Sequence, residues 1–328
     1  MARTRLYRDG KLVAENFPPA EISDHLEADD GSLIWLDLDP EDGDQLDVIV
    51  EEFQLHELAV EDALEDHERP KLDVYASHLF LTATGTRLDP ATGELVLCKV
   101  STFITDRALI TVPTTADFPI DEMLRRWDSG GLPVTSVGAM VHGLVDIVVD
   151  SHFTTVEALD DELEKLEDLL FADRPSTTKV QRRSFEVRKS LVHLRKLAMP
   201  MREVVNTLLR RDIRIGEVPL VDQAATPYFH DVYDHVLRVT EWTDSMRDVV
   251  GTVLETNLTI QGNRMNSIMK KVTSWAAVIA VPTAVTGFYG QNVPYPGYGH
   301  WSGFVLSTVI IVALSLGLVA LFKKNDWL

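Results

Sequence analysis

Ten residues toward the C-terminal end recur at alternating steps of four and three: Glu255, Thr259, Gly262, Asn266, Met269, Thr273, Ala276, Ala280, Thr283 and Gly287. That is the 3.5-residue period of a seam between packed helices. A coiled coil would fill such a seam with Leu and Ile, whereas this one holds small and oxygen-bearing residues. The bulky Trp275, Val278, Ile279, Val285 and Phe288 lie off it. Several copies of this helix, ringed about one axis, would enclose a narrow wet lumen. Small-residue packing between membrane helices is the alternative use of the same pattern.

The oxygen chemistry of the seam suits a hydrated hard cation. Magnesium keeps its water shell tightly and prefers octahedral oxygen ligands. Neutral oxygens of Asn, Thr and the backbone can hydrogen-bond that shell without stripping it, where a ring of carboxylates would hold the ion too long for conduction. Asn292 follows Tyr289-Gly290-Gln291 at one end of the seam and suits a selectivity ring, with Thr283 as a second ring. At the other end Met269 and Val272 could form an apolar constriction that closes by dewetting.

These residues need a membrane to work in. The stretch 272–290 carries no charge, and neither does 302–322. About 20 apolar residues cross the roughly 30 Å hydrocarbon layer. The second stretch meets that demand easily. The first contains Thr273, Ser274, Pro282, Thr283 and Thr286, which suit a helix lining water or packed on copies of itself, and the core helix of a soluble domain is its alternative. Arg264, Lys270 and Lys271 precede the first stretch and Lys323 and Lys324 follow the second, while the connection 291–301 has no Lys or Arg. The positive-inside rule therefore puts both termini in the cytoplasm, with Lys270, Lys271, Lys323 and Lys324 as a basic ring at the inner face. No apolar stretch of signal-peptide type follows Met1.

The charge balance is lopsided. Beyond Lys271 the only charged residues are Lys323, Lys324 and Asp326, so the net −20 divides into −21 for the first 271 residues and +1 for the rest. An acidic body of this kind excludes a nucleic-acid partner, which needs a basic face. Cys98 is the only cysteine, which rules out a disulfide framework and a thiolate zinc site and fits a buried strand thiol. No nucleophile–base pair, glycine-rich phosphate loop or HExxH motif is present, and the 10 histidines are scattered, so the chain reads as no enzyme.

Strand signals cover 32–38, 79–86, 94–104 and 108–112, and 40–65 has the spacing of a single helix. From Pro133 strands give way to helices, at about 135–172, 177–211 and 228–289, with Pro175-Ser176-Thr177 between the first two and Pro219 and Pro227 marking the turn before the last. The 62 residues of that last helix would measure roughly 90 Å at 1.5 Å per residue. A helix so long needs partners along its length, and self-association supplies them. In the acidic run 157–167, Leu159, Leu163, Leu166 and Leu170 supply a buried stripe, so its acids form a solvated face rather than a metal site. The fold class is thus an α+β membrane protein. It divides into an α/β cytosolic domain (1–132), a helical stalk (133–271), a pore-lining transmembrane helix (272–290), an outer loop (291–301), a second transmembrane helix (302–322) and a basic tail (323–328).

Several spaced motifs then resemble one family. They are His56-Glu57-Leu58-Ala59-Val60-Glu61-Asp62-Ala63, Arg69-Pro70-Lys71, Pro227-Tyr228-Phe229, Asp231-Val232-Tyr233-Asp234-His235, Tyr289-Gly290-Gln291-Asn292 and the final Lys323-Lys324 with Trp327-Leu328. In this order they resemble the CorA-type magnesium channels over essentially the whole chain. The resemblance implies a homopentameric funnel in the cell membrane (the inner membrane of a two-membrane cell), with Mg2+ as both transported and regulatory ion and Co2+ or Ni2+ as surrogates. It implies a selectivity filter at Gly290, Gln291 and Asn292, and pore-lining positions at Thr283, Ala280, Val272, Met269, Asn266 and Glu255. It also implies regulatory metal sites between subunits, with Asp62 facing Asp231 and Glu61 and Asp146 nearby. The motif departs from the family's Gly-Met-Asn at Gln291. Two rival functions remain: transport of Co2+, Ni2+ or Zn2+ on the same scaffold, and a membrane-anchored metal sensor without transport. Softer metals favour His and Cys, and apart from His300 the seam and mouth have neither.

Overall fold

The computed structural model describes residues 3–27, 31–39, 43–65, 69–115, 117–129, 132–172, 176–210, 212–216, 218–291, 293–295 and 297–328. It divides into two compact units, Met1–Val253 and Leu254–Leu328.

The first unit is built on a sheet. Strands β1 (Arg3–Arg8), β2 (Lys11–Glu15), β3 (Leu33–Asp37), β4 (Lys71–Val74), β5 (Leu79–Leu88), β6 (Leu95–Ile104) and β7 (Ala108–Pro113) lie in the order β2-β1-β3-β7-β6-β5-β4. Only the β3–β7 pair is parallel. Both faces of the sheet are covered, and the two-residue period of β3 shows it: Leu33 and Trp35 join one core cluster, Ile34 and Leu36 the other. Cys98 on β6 is 6% exposed, the buried strand thiol its neighbours suggest, and burial pushes its pKa up.

Helices α1 (Ile22–Glu27), α2 (Gly43–Glu52) and α3 (Glu57–Leu64) cover one face. The other face carries α4 (Ile120–Ser129), α5 (Val137–Phe171), α6 (Thr177–Leu208) and the start of α7 (Thr226–Tyr289). Leu159, Leu163, Leu166 and Leu170 on α5 are all buried, as the leucine spacing predicts.

The stretch 40–65 is not one helix. The chain breaks at Gln54, whose φ is +49°. Leu55 N donates to Val50 O at 3.0 Å and Gln54 N to Glu51 O at 3.4 Å, the paired bonds of a Schellman turn. The position usually held by Gly is Gln here, so no helix-stop signal stands in the sequence. His56 then caps α3, its Nδ1 accepting from Leu58 N at 3.2 Å. Strands also continue past Pro133: β8 (Arg214–Ile215) and β9 (Val218–Pro219) form a two-stranded hairpin between α6 and α7. Pro219 belongs to β9, whereas Pro227 sits in the first turn of α7, where its missing N–H costs no helical bond. Pro40, Pro175 and Arg211, three expected helix ends, lie outside the described residues.

The second unit holds the rest of α7 and α8 (Trp301–Lys324). Both helices are long and apolar enough to cross a membrane. α7 ends under an aromatic cap in which Tyr295 Oη donates to Tyr289 O at 2.8 Å. α8 closes with a second Schellman turn, with Asp326 at φ +56°, Trp327 N donating to Phe322 O at 2.9 Å, and the Phe322 and Trp327 rings stacked at 5.7 Å.

Candidate functional site

Two regions carry the candidate chemistry, and each is built within one unit.

In the second unit all ten seam residues from Glu255 to Gly287 are exposed. Within the apolar part of α7 the less exposed residues include Ser274, Val278, Val281 and Val285, which recur at steps of three and four on the opposite side of the helix, with Ala277 and Pro282 flanking them. The seam is therefore a face that this single chain leaves uncovered. Its hydroxyls are already oriented. Thr283 Oγ1 donates to Ile279 O at 3.1 Å and Thr259 Oγ1 to Glu255 O at 3.0 Å. A hydroxyl that spends its proton on the helix presents its lone pairs outward as acceptors. Pro282 removes one backbone donor from this stretch, and Thr286 Oγ1 donates to Pro282 O at 2.8 Å. Bulky Trp275 and Ile279, 55% and 64% exposed, belong to a separate apolar face.

At the mouth, Gly290 N and Gln291 N continue the turn with bonds to Thr286 O at 2.8 Å and Phe288 O at 3.3 Å. Both residues are exposed; Asn292 lies outside the described residues. Lys270, Lys271, Lys323 and Lys324 are all exposed, at the N-terminal end of one apolar segment and the C-terminal end of the other. Met269 and Val272 are 56% and 58% exposed.

In the first unit the acids named by the resemblance fall on three helices. Glu61 and Asp62 lie on α3, Asp146 on α5 and Asp231 in the second turn of α7. Asp146 and Asp231 line one cavity of about 240 Å³, together with Arg126, Trp127, His142 and Tyr228. Gly143 makes room there, since a Cβ at that position would collide with Trp127 Nε1. Asp62 is elsewhere, paired with Lys71 Nζ at 2.6 Å. No group of three or more His, Cys, Asp or Glu side chains poised to hold a metal occurs among the described residues. The carboxylate oxygens of these acids are of the type a hard divalent ion takes.

Sequence reasoning missed the cations and imidazoles around these acids. Arg126 Nη1 lies 2.6 Å from Asp146 and 2.7 Å from Asp150. Burial works against its charge, but the hydrogen bonds and charges of Asp150 and Asp146 more than offset this and raise its pKa. His235 stands between Asp150 and Asp231, at 3.9 and 4.0 Å. His142 packs edge-on against Tyr228 and Phe229, and burial lowers its pKa against the pull of Asp146. Two of the scattered histidines thus gather beside the acids. The spacing of His142, Asp146 and Asp150, four residues apart on one helix face, is a sequence signal that could have found His142.

Comparisons with known proteins bear on the family and the fold. A family model described as "CorA-like Mg2+ transporter protein" matches residues 30–324. The chain belongs to the CorA-like Mg2+ transporter family. The cobalt/magnesium transport protein CorA of Thermotoga maritima is 30% identical over 279 residues, which span 84% of this chain and 78% of that one. The zinc transport protein ZntB of Yersinia enterocolitica is 23% identical over 296 residues, covering 90% and 88% of the two chains. The complete structure of the CorA magnesium transporter from Methanocaldococcus jannaschii matches with a TM-score of 0.77 at 21% identity, covering 100% of this chain and 99% of that one. The fold of a CorA chain, with its soluble α/β part, long helix and two C-terminal apolar helices, is therefore the fold of this protein. It is a membrane protein of a divalent-metal transporter family and not of an enzyme family.

Proposed function

We propose that this chain is a magnesium channel that admits Mg2+ into the cytoplasm and is closed by cytosolic Mg2+. The observation that carries the reading is the uncovered seam of α7: small, hydroxyl- and amide-bearing, and exposed along its whole length in one chain. A homopentamer in the cell membrane, with both termini cytoplasmic, would bury that seam around a water-filled axis. Thr283, Ala280, Val272, Met269, Asn266 and Glu255 then line the path, and Gly290, Gln291 and Asn292 form its outer filter. Hydrated Mg2+ passes by hydrogen-bonding to neutral oxygens. The residues 1–132 form the cytosolic α/β domain, 133–271 the stalk, 272–290 and 302–322 the two spans, 291–301 the outer loop and 323–328 the basic tail.

Regulation rests on Asp62 and Glu61 of one subunit meeting Asp231 and Asp146 of the next. Carboxylates about 5 Å apart repel by about 3 kcal/mol at an effective dielectric of 20. A divalent ion between them converts repulsion into attraction, and repetition around a ring biases the closed state. Loss of internal Mg2+ then loosens the ring and opens the Met269–Val272 constriction.

Zinc or cobalt transport on the same scaffold is the second reading, favoured by the ZntB relative and by Gln291 at the filter. The absence of His and Cys from the seam favours magnesium. The test is flux into liposomes holding the full chain, with Mg2+, Co2+, Ni2+ and Zn2+ in competition and internal Mg2+ varied. Mg2+ uptake that falls as internal Mg2+ rises, and that loses this fall in Asp231→Asn, is the expected result. Uptake of Co2+, Ni2+ or Zn2+ without Mg2+ would favour the second reading, and liposomes impermeable to all four ions at every internal Mg2+ concentration would leave only the anchored sensor.

A further inference from the structure

Two of the four carboxylates assigned above to ion sensing, Asp62 and Asp146, already have cations of their own. On β4, Lys71 Nζ lies 2.6 Å from Asp62 and 3.4 Å from Asp73. On α4, Arg126 Nη1 is shared between Asp146 at 2.6 Å and Asp150 at 2.7 Å, and its Nε lies 3.5 Å from Glu122. These pairs are partly shielded: the Asp62 and Asp146 side chains are 23% and 22% exposed, and those of Lys71 and Arg126 30% and 32%. A guanidinium bridging two carboxylates uses the same oxygen lone pairs that a divalent ion would take. It also puts a positive charge within contact distance of where that ion must sit.

We infer that Lys71 and Arg126 are resident counter-ions that the regulatory divalent ion must displace, so that they set the concentration at which it acts. The inference rests on the sensor reading above. Binding becomes an exchange: the ion replaces an ammonium at Asp62 and a guanidinium at Asp146. The closed ring then forms only once cytosolic Mg2+ outcompetes these built-in cations, and the threshold lies higher than bare carboxylates would give. Lys71 and Arg126 are positioning residues for the threshold and touch no transported ion.

The test uses the full chain in liposomes loaded with graded Mg2+, read as the internal concentration that halves uptake. Lys71→Gln and Arg126→Gln should each lower it roughly two- to fivefold, the range set by the worth of a partly exposed ion pair. Lys71→Arg, which keeps the competing charge, should leave it in place, and so should Arg125→Gln, whose side chain is 72% exposed and pairs with Glu122. Mg2+ should also raise the thermal midpoint of purified Lys71→Gln more than that of the wild type, a readout that stands even where Arg126→Gln does not fold. An unchanged half-inhibitory concentration in Lys71→Gln, with inhibition abolished in Asp231→Asn, would overturn the inference and keep the sensor. Inhibition untouched by both Asp62→Asn and Asp231→Asn would remove the sensor itself, and the exchange with it.

Discussion

Thr283 shows how a single side chain can serve an ion. Its proton is committed to the Ile279 carbonyl, so in the proposed pore its outward lone pairs would meet the hydration water of a passing cation. Thr283→Val should cut Mg2+ flux about two- to tenfold, the worth of one net hydrogen bond, while Thr283→Ser should keep most of it. Two buried groups govern stability rather than transport. His152 is fully buried with Nε2 at 2.7 Å from Thr84 O, and burial lowers its pKa to about 4. It stays neutral in the fold while the unfolded chain takes a proton below about pH 6.5, so stability falls by roughly 3 kcal/mol as pH drops from 6.5 to 4 and then levels. Asp37 runs the other way: burial raises it to about 6, against the Thr111 hydrogen bond at 2.6 Å. Its contribution is present below about pH 4 and lost as pH rises through 6. Thermal midpoints across pH 4–7 should therefore slope down toward acid more steeply in Asp37→Asn than in the wild type. In His152→Gln the acid-side fall should be reduced, and identical profiles in all three proteins would count against both assignments. At this scale the sequence made the packing residues legible, Cys98 and the α5 leucines among them, because burial follows spacing. Arg126 and Lys71 were not legible as partners of the acids, since Arg126 meets Asp146 across 20 residues of chain that no local pattern spans.

Among the elements, β5, β6, β7 and the three long helices are legible because each follows one period for its full length. Those that were not have charged or short stretches whose meaning comes from distant partners. β1 reads RTRLYR, and two of its arginines, Arg3 and Arg5, meet the distant Asp121 and Asp128 at 2.7 and 2.8 Å. β4 and the β8–β9 hairpin have too few residues for a period to show. The break between α2 and α3 hides because Gln54 takes a backbone conformation that usually calls for Gly. The outer loop is the reverse case, with glycines that do mark a constraint. Gly297 has φ +89°, and a Cβ on Gly303 would run into its carbonyl oxygen. Gly303→Ala should therefore displace the loop that joins the proposed filter to α8 and reduce flux, with the thermal midpoint of the soluble unit unchanged. A variant with wild-type flux would show that the close approach is dispensable.

For the molecule as a whole, length and charge made the plan readable: an acidic body, a 64-residue helix and two uncharged stretches. The filter asparagine and the number of subunits lie beyond what one chain displays, because both belong to an assembly. What one chain does display is a helix face left exposed among the described residues, too polar for lipid and too small-sided for a coiled-coil seam. In the proposed assembly, burying that face on copies of itself would enclose water and leave the other exposed face, with Trp275 and Ile279, to lipid. The most direct measurement is accessibility of single cysteines to a membrane-impermeant, water-requiring thiol reagent in Mg2+-conducting liposomes, in a Cys98→Ser background. Thr283→Cys and Ala276→Cys should react, lose Mg2+ flux on reaction and be slowed by Mg2+, while Ile279→Cys stays unmodified. Reaction at Ile279→Cys with Thr283→Cys and Ala276→Cys inert would mean that the seam faces no water and that α7 lines no pore.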